Sequence, residues 1–240
     1  MADRERVLAE VRAAIHSEPR LKPGTQIDLD YSGGTLTVSG EVADVAAKKR
    51  VLARAAAHRD VAGIIDRLRV IPAARMGDKE IRDHLRDALL SEPALAETAI
   101  IERIGTTLVP ARRPPAARRG AIALSVNDGI VTLDGEVPGL AQKRLAGVIA
   151  WWLPGSRDVV NGLGVVPPEE DNDGEIADAV RLALEKDPFV DPGQIRVAVK
   201  SGAVTLTGLV RSDLERDMAE FDAWYVFGVD RVENHIDVRA

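Results

Sequence analysis

The sequence predicts an α+β fold of three tandem modules, each with the element order helix–strand–strand–helix–strand. A strand-hairpin pattern occurs three times, an apolar helix stripe precedes each hairpin, and another helix and strand follow at constant spacing. Internal repeats of this kind define the architecture of a chain. We expect repeat one at residues 1–72, repeat two at 78–167 and repeat three at 174–240. In each, two helices should pack on one face of a small three-stranded mixed sheet.

The hairpin is clearest at residues 195–210, where apolar residues alternate with polar ones around a Lys-Ser-Gly turn. Such alternation around a turn glycine is typical of a half-buried β-hairpin. The pattern recurs at 26–42 and 121–137. Each copy has a turn glycine and, six residues later, a strand glycine on the core-facing side. We expect a close helix crossing or a bulge at the strand glycines. The structural glycines are Gly34, Gly40, Gly129, Gly135, Gly202, Gly208 and, in the last loop, Gly228.

The helices of the repeats are also in register. Apolar residues twelve, eight and four positions before a proline form one stripe of the first helix in each repeat. Asp44 is expected to cap the second helix of repeat one. From the strand glycine to the last strand valine the distance is 30 residues in every copy. This spacing predicts a second helix and a third strand in all three repeats.

Repeat two contains about 21 additional residues, approximately 100–119, between its first helix and its hairpin. The segment is rich in Pro, Ala and Arg and lacks apolar periodicity, which predicts an extended or mobile loop. A solvated loop is one interpretation of its arginines. The other is contact with an anionic surface through Arg112, Arg113, Arg118 and Arg119.

Aromatic residues are scarce, and two pairs of them lie where the second helices of repeats two and three end. These pairs are Trp151 with Trp152 and Trp224 with Tyr225. Core and domain–domain packing is the favoured interpretation. An anchor at a membrane interface or a partner surface is the alternative.

The amino-acid composition of the chain limits the classes of function that it can have. The 240-residue chain has no cysteine, and its histidines and carboxylates form no recognisable catalytic or metal-binding motif. We therefore predict no enzyme activity, no metal site and no cofactor. Repeat three is acidic, with a net charge of −9 over residues 169–240, which argues against nucleic-acid binding. Without an apolar leader or membrane-spanning run, we expect a cytoplasmic protein, or a periplasmic one if a native leader was removed.

The hairpin motif G-x-V-T-L-x-G-x-V and the ending G-V-x-x-V-x-N-x-I-x-V resemble the BON domain (bacterial OsmY and nodulation) family. Repeat three matches best, from Gly202 to Val210 and from Gly228 to Val238. Repeat one is looser, because Asp60 and Asp66 replace the glycine and the asparagine of the ending. The resemblance implies the αββαβ fold, an association with the bacterial envelope and osmotic stress, and binding to phospholipid.

Two function classes follow from these observations. The first is a peripheral protein that binds membrane surfaces or envelope components under stress. The second is a scaffold that associates with itself or with another protein through sheet edges or through the charge contrast between repeats. A cation sensor, for example for potassium, that uses backbone carbonyls at a domain junction is a further alternative, since such a site leaves no sequence motif.

Overall fold

The computed structural model describes residues 2–19, 21–22, 24–113 and 120–239. The chain divides into two compact units, residues 1–71 and 72–240. The first unit holds repeat one. Its elements in chain order are α1 (Ala2–His16), β1 (Ile27–Ser32), β2 (Thr35–Val42), α2 (Val45–Ala56) and β3 (Gly63–Val70).

The second unit holds repeats two and three. The elements of repeat two are α3 (Asp78–Ser91), β4 (Ala99–Ile104), β5 (Thr107–Arg112), β6 (Ala121–Asn127), β7 (Ile130–Val137), α4 (Leu140–Trp152), β8 (Asp158–Asn161) and β9 (Gly164–Val165). Those of repeat three are α5 (Asp173–Lys186), β10 (Ile195–Lys200), β11 (Ala203–Val210), α6 (Asp213–Tyr225) and β12 (Arg231–Val238).

The same three-stranded arrangement underlies every repeat. In repeat one the strand order is β1-β2-β3, with an antiparallel hairpin and a third strand parallel to the second. Repeat three has the equivalent order β10-β11-β12. The second helix of each repeat makes the crossover that a parallel pair requires. The predicted α+β class and the αββαβ modules are thus confirmed.

Each core lies between the helices and one face of the sheet. In repeat one Val7, Val11 and Ile15 of α1 are buried, as the stripe predicted, and they share the core with Leu36 and Val38 of β2. The residues between them in β2 are only half-buried, because alternate side chains of a strand point to opposite faces. One face of the sheet is therefore left for other contacts.

The helices are fixed to the hairpins by carboxylates at their first turns. The Asp173 carboxylate accepts hydrogen bonds from the backbone N–H groups of Ser201 (2.7 Å) and Gly202 (3.0 Å) in the hairpin turn. These two bonds hold the pKa of Asp173 below its ordinary value. Asp78 makes the same two bonds to the turn of repeat two, at 2.9 and 2.8 Å. In repeat one Asp44 caps α2 as expected, accepting from the N–H of Ala47 at 2.7 Å.

The reason why the strand positions require glycine differs from the one predicted. Gly40, Gly135 and Gly208 have φ angles of +132°, +118° and +155°. A Cβ atom on Gly208 would lie 2.0 Å from the carbonyl oxygen of Gln194, just before the neighbouring strand. Gly40 and Gly135 meet the equivalent carbonyls at 2.5 and 2.2 Å. The neighbouring strand, not a crossing helix, therefore excludes a side chain here, and the backbone conformation favours glycine as well.

The prediction of a loop at residues 100–119 was wrong where the structure describes this segment. Residues 99–112 form two strands, β4 and β5, that extend the sheet of repeat two to the order β5-β4-β6-β7-β8, with β9 also paired to β7. β4 pairs in parallel with β6, and β5 pairs antiparallel with β4. The segment belongs to the sheet because its backbone groups and apolar side chains complete an edge that would otherwise be open.

We expect Gly208→Ala to lower the free energy of unfolding of the second unit by about 2–4 kcal/mol, since the new Cβ would combine overpacking with backbone strain. Gly77→Ala is the control, because a Cβ there would meet no atom within 4 Å and the φ angle is −78°. Denaturant unfolding measures both. Equal stabilities of the two variants would contradict this account of the strand glycines.

Candidate functional site

The most distinctive surface of the chain is the β4–β5 hairpin, residues 99–112, because repeats one and three have no counterpart in their described parts. Its inner strand is anchored in the core, where Ile100 is fully buried beside Leu89 and Leu124. β4 joins the edge of β6 through the pairs from Ala99 with Ala121 to Glu102 with Leu124. The hairpin is therefore an ordered part of the sheet.

Arg112, predicted as a contact for an anionic surface, holds the end of the hairpin on the domain. Its guanidinium donates hydrogen bonds to the backbone carbonyls of Thr98 (3.0 Å), Leu90 (3.1 Å) and Leu95 (2.7 Å), and more weakly to Leu89 at 3.5 Å. These carbonyls lie at the C-terminal end of α3 and in the turn after it, where helix carbonyls lack intrahelical partners. The Arg112 side chain is thus engaged within repeat two.

The other predicted arginines are placed differently. Arg113 is exposed at the end of the described part of the hairpin. Arg118 and Arg119 lie outside the described residues. Contact with an anionic surface stays a prediction. Of the described members of the set, Arg113 alone is placed to make such a contact.

Glu102 fixes the inner strand from the helix side. This carboxylate is buried, with 7% exposed. It accepts hydrogen bonds from Arg82 Nε at 3.2 Å and Arg86 Nη1 at 3.4 Å, both on α3. Burial of a carboxylate is costly unless it is paired and hydrogen-bonded, and the two arginines satisfy that condition. Together with Arg112, Glu102 makes the hairpin a preorganised feature.

The outer part of the hairpin exposes apolar side chains to solvent. The exposed fractions of Ile104, Leu108 and Val109 are 45%, 56% and 40%. β5 is also the outermost strand of its sheet in the described part of the chain. An exposed edge with apolar side chains can pair with another polypeptide. Pro110 limits that pairing on β5, because a proline has no N–H to donate.

The predicted aromatic pairs meet at the junction between repeats two and three, which is formed by α4, α5 and α6. Trp151 and Tyr225 stack with their ring centroids 5.9 Å apart and an interplanar angle of 11°. Trp152 Nε1 donates a hydrogen bond to Asp222 Oδ1 at 2.8 Å. Trp224 is fully buried in repeat three. These contacts agree with the favoured interpretation, which was packing between domains.

Charged groups complete the junction. Arg144 of α4 is 1% exposed and donates from Nε to the carbonyl of Phe227 at 2.9 Å and from Nη2 to Asp171. Lys186 of α5 forms an ion pair with Glu92 at 2.9 Å. A buried arginine keeps its charge and therefore needs such partners. The two repeats thus share polar as well as aromatic contacts.

Asp187 and Asp222 form an acid pair at the same junction. Both are buried, with 5% and 0% exposed, and neither Oδ2 atom has a hydrogen-bond partner in the described part of the chain. Burial raises the pKa of Asp222 to about 8; the Trp152 N–H opposes this rise, and the neighbouring Asp187 carboxyl adds to it. A proton on one carboxyl would provide a hydrogen bond between the two groups, as in other close carboxyl pairs.

The acid pair was missed in the sequence, although the repeat register contains a signal for it. In repeat one the position of Asp222 is occupied by Arg54, and that of Asp187 by Glu18. Arg54 Nε lies 3.3 Å from the buried Glu18 carboxylate, so repeat one has an ion pair where repeat three has two acids. Because Asp222 replaces the cation of repeat one, the acid pair of repeat three needs a proton or another positive charge in its place.

A shallow hollow lies beside the strand glycine in two repeats. In repeat one it is lined by Gly40, Glu41 and Ile71, and in repeat two by the equivalent Gly135 and Val166 among others. The hollow of repeat one also has Asp28, Lys22 and Thr25 in its lining, whereas Glu136 is the one charged residue that lines the hollow of repeat two. The described residues also contain no group of three or more metal-ligating side chains and no helix long and apolar enough to span a bilayer.

The model of the BON domain matches residues 3–72, 96–167 and 172–240. The chain belongs to the BON domain family. BON domains are generally non-catalytic binding modules, and membership of the family supports a lipid- or protein-binding module here. The resemblance predicted from the hairpin motifs is confirmed.

Curated proteins and solved structures give less information about the chain than the family model does. No curated protein matches the chain. Among solved structures it is similar to the C-terminal domain of CdsD, the structural protein of the type III secretion system of Chlamydia trachomatis, with 15% identity, 98% of both chains covered and a TM-score of 0.25. A second CdsD structure matches with 14% identity, 98% of this chain and 92% of that chain covered, and a TM-score of 0.24.

We expect the acid pair to make the second unit less stable as the pH rises. Between the ordinary pKa of aspartate and about 8, folded Asp222 holds a proton that the unfolded chain releases, so the free energy of unfolding falls with pH. Asp222→Asn imitates the protonated acid and removes this term. From pH 6 to pH 9 the melting temperature of the wild-type chain should fall at least about 3 °C more than that of the variant.

The control for this measurement is Asp217→Asn, on the exposed side of the same helix, which should keep the wild-type pH dependence. Calorimetry at both pH values gives the melting temperatures. An Asp222→Asn variant with the wild-type dependence would show that the acid pair is ionised throughout.

Proposed function

We propose that this chain is a non-catalytic binding protein that docks on other polypeptides through the β4–β5 hairpin of repeat two. The exposed apolar side chains of Ile104 and Val109 on one face of the hairpin, with Leu108 on the other face, carry the proposal. Exposed apolar side chains along the edge of a sheet are typical of protein contact sites, since their burial contributes about 25 cal/mol per Å².

The anchoring of the hairpin supports this function. Arg112 bonds to carbonyls at the end of α3, and Glu102 bonds to two arginines of the same helix. A binding surface that is already ordered loses less conformational entropy when a partner docks. The rigid hairpin is therefore better suited to recognition than the mobile loop predicted from composition.

Binding to phospholipid, the other activity of the family, has weaker support in this chain. It was expected to rest on four arginines, and Arg112 is committed to backbone carbonyls. Arg103 is half exposed beside the apolar residues, but its guanidinium lies 3.9 Å from the Asp134 carboxylate. A net charge of −6 for the whole chain also opposes an anionic membrane. Polypeptide binding is therefore the stronger proposal, and lipid contact is an outcome that its test distinguishes.

A photocrosslinking amino acid at position 109 tests the proposal in cells that express the chain naturally. It should give discrete polypeptide adducts that disappear when Ile104, on the same face of the hairpin, is changed to Ser. The matched control is position 214, where Leu214 is 66% exposed on α6. Adducts to lipid alone, or the same adducts from both positions, would contradict polypeptide docking at the hairpin.

A further inference from the structure

The repeats allow the edge covered by β4 to be compared with its counterpart in repeat three. In repeat two β4 lies on the outer edge of β6. The equivalent strand of repeat three is β10, because Ile122 and Ile195 both pair with the strand glycine. In the described part of the chain β10 is the outermost strand of its sheet. Repeat two thus shows how a strand can be added to an edge that repeat three leaves open.

The added strand is recognised by its backbone and by two side chains. The N–H of Ala99 donates to the carbonyl of Gly120 at 3.1 Å, so the backbone of β6 faces β4 at that residue and at Ile122 and Leu124, by the two-residue period of a strand. On the helix side, Ile100 fills the core and Glu102 binds the arginines of α3. The recognised pattern is an apolar residue followed two positions later by an acid.

Repeat three retains one of the two arginines that bind the acid, since Arg181 stands where Arg86 stands and Ala177 stands where Arg82 stands. Arg86 of α3 is paired with Asp83 at 3.1 Å, and the equivalent Arg181 of α5 is paired with Asp178 at 2.7 Å. Arg86 also reaches Glu102 on the added strand. Arg181 instead donates from Nη2 to the carbonyl of Val197 at 3.1 Å. Val197 is equivalent to Leu124, so this carbonyl faces the open edge.

The edge of β10 is also less shielded than that of β6. Ile195 and Val197 are 9% and 8% exposed, while the equivalent Ile122 and Leu124 are fully buried. β10 carries the exposed basic residues Arg196 and Lys200 on its other face, which favour an acidic segment. Although repeat three is acidic as a whole, this strand is locally basic.

We propose that the outer edge of β10 binds an extended segment of a partner polypeptide, parallel to β10 as β4 is to β6, with an acidic side chain on Arg181. This site is separate from the β4–β5 hairpin and does not depend on it. In repeat one Arg12 stands where Arg181 stands, but Ala9 replaces Asp178, the acid that pairs with Arg181 in repeat three. Strand addition gives affinity through the backbone and specificity through alternate side chains.

A second copy of the chain is a less suitable occupant. Its β4 has the required pattern, but removing it from β6 would expose Ile100, which is fully buried. Burial of such a side chain contributes about 1.5–3 kcal/mol, and the paired Glu102 would lose its arginines as well. A segment that is already extended and unpaired in its own protein avoids these losses.

The test uses the full chain and a synthetic peptide with the sequence of residues 96–105, which contains the strand seen on the equivalent edge. Hydrogen exchange with mass spectrometry should show at least about threefold slower exchange of residues 195–200 when the peptide is present. Fluorescence anisotropy should give a dissociation constant below about 1 mM. Slower exchange confined to β6 or β12, or no peptide-dependent change, would overturn the proposal.

Charge reversal tests the role of Arg181. The chain variant Arg181→Glu should bind the peptide at least about fivefold more weakly, and a peptide with the change E102K should bind that variant better than it binds the wild-type chain. Arg239→Glu, exposed just after β12 on the opposite edge of the sheet, is the control and should change the affinity less than about twofold. Equal losses at both positions would contradict specific recognition, and protection of β10 that rises with protein concentration without peptide would assign the edge to a second copy.

Discussion

The organisation of repeat two depends on the parallel pairing of β4 with β6. A sheet edge presents unpaired N–H and C=O groups, and β4 satisfies those of β6 while Ile100 closes the core below them. β5 can pair only because β4 is in place, and Arg112 can reach the carbonyls after α3 only from the end of β5. The exposed apolar surface of the hairpin is a consequence of the same pairing. This one contact therefore turns an insertion of unusual composition into an ordered surface.

The repeats use one scaffold in three different ways. In repeat one an ion pair joins Glu18, which follows α1, to Arg54 of α2, where repeat three has the acids Asp187 and Asp222. The junction of repeats two and three places Trp152 against that acid pair. Positions that are equivalent in the repeat register thus differ in charge, while the backbone fold around them is the same. Function in such a chain follows from the differences between repeats, because the shared residues serve the fold.

The fold could be predicted from the sequence because its determinants are local. Turn glycines, strand alternation and helix stripes all act within about 20 residues and recur in register. The strands of the insertion could not be predicted from the sequence, because a strand that pairs in parallel with an edge is not joined to its neighbour by a short turn that would mark it. Pro110 also argues against a strand. The Ile100–Ile101 run and Gly105 were the available signals. The role of Arg112 was also beyond prediction, since composition does not reveal which charges become buried. The acid pair had one signal, the replacement of Arg54 by Asp222 in the repeat register.

The ordered hairpin is the central claim, and hydrogen exchange of the unliganded full chain tests it most directly. Amides of residues 99–104 should exchange together with those of β6, at least about a hundredfold more slowly than an unstructured peptide, because their opening requires release of the buried Ile100. Arg112→Ser should speed exchange in β5, whereas Arg113→Ser should leave it unchanged. Exchange of residues 99–112 at the rate of an unstructured peptide would contradict the account, since the insertion would then be the mobile loop that its composition predicts.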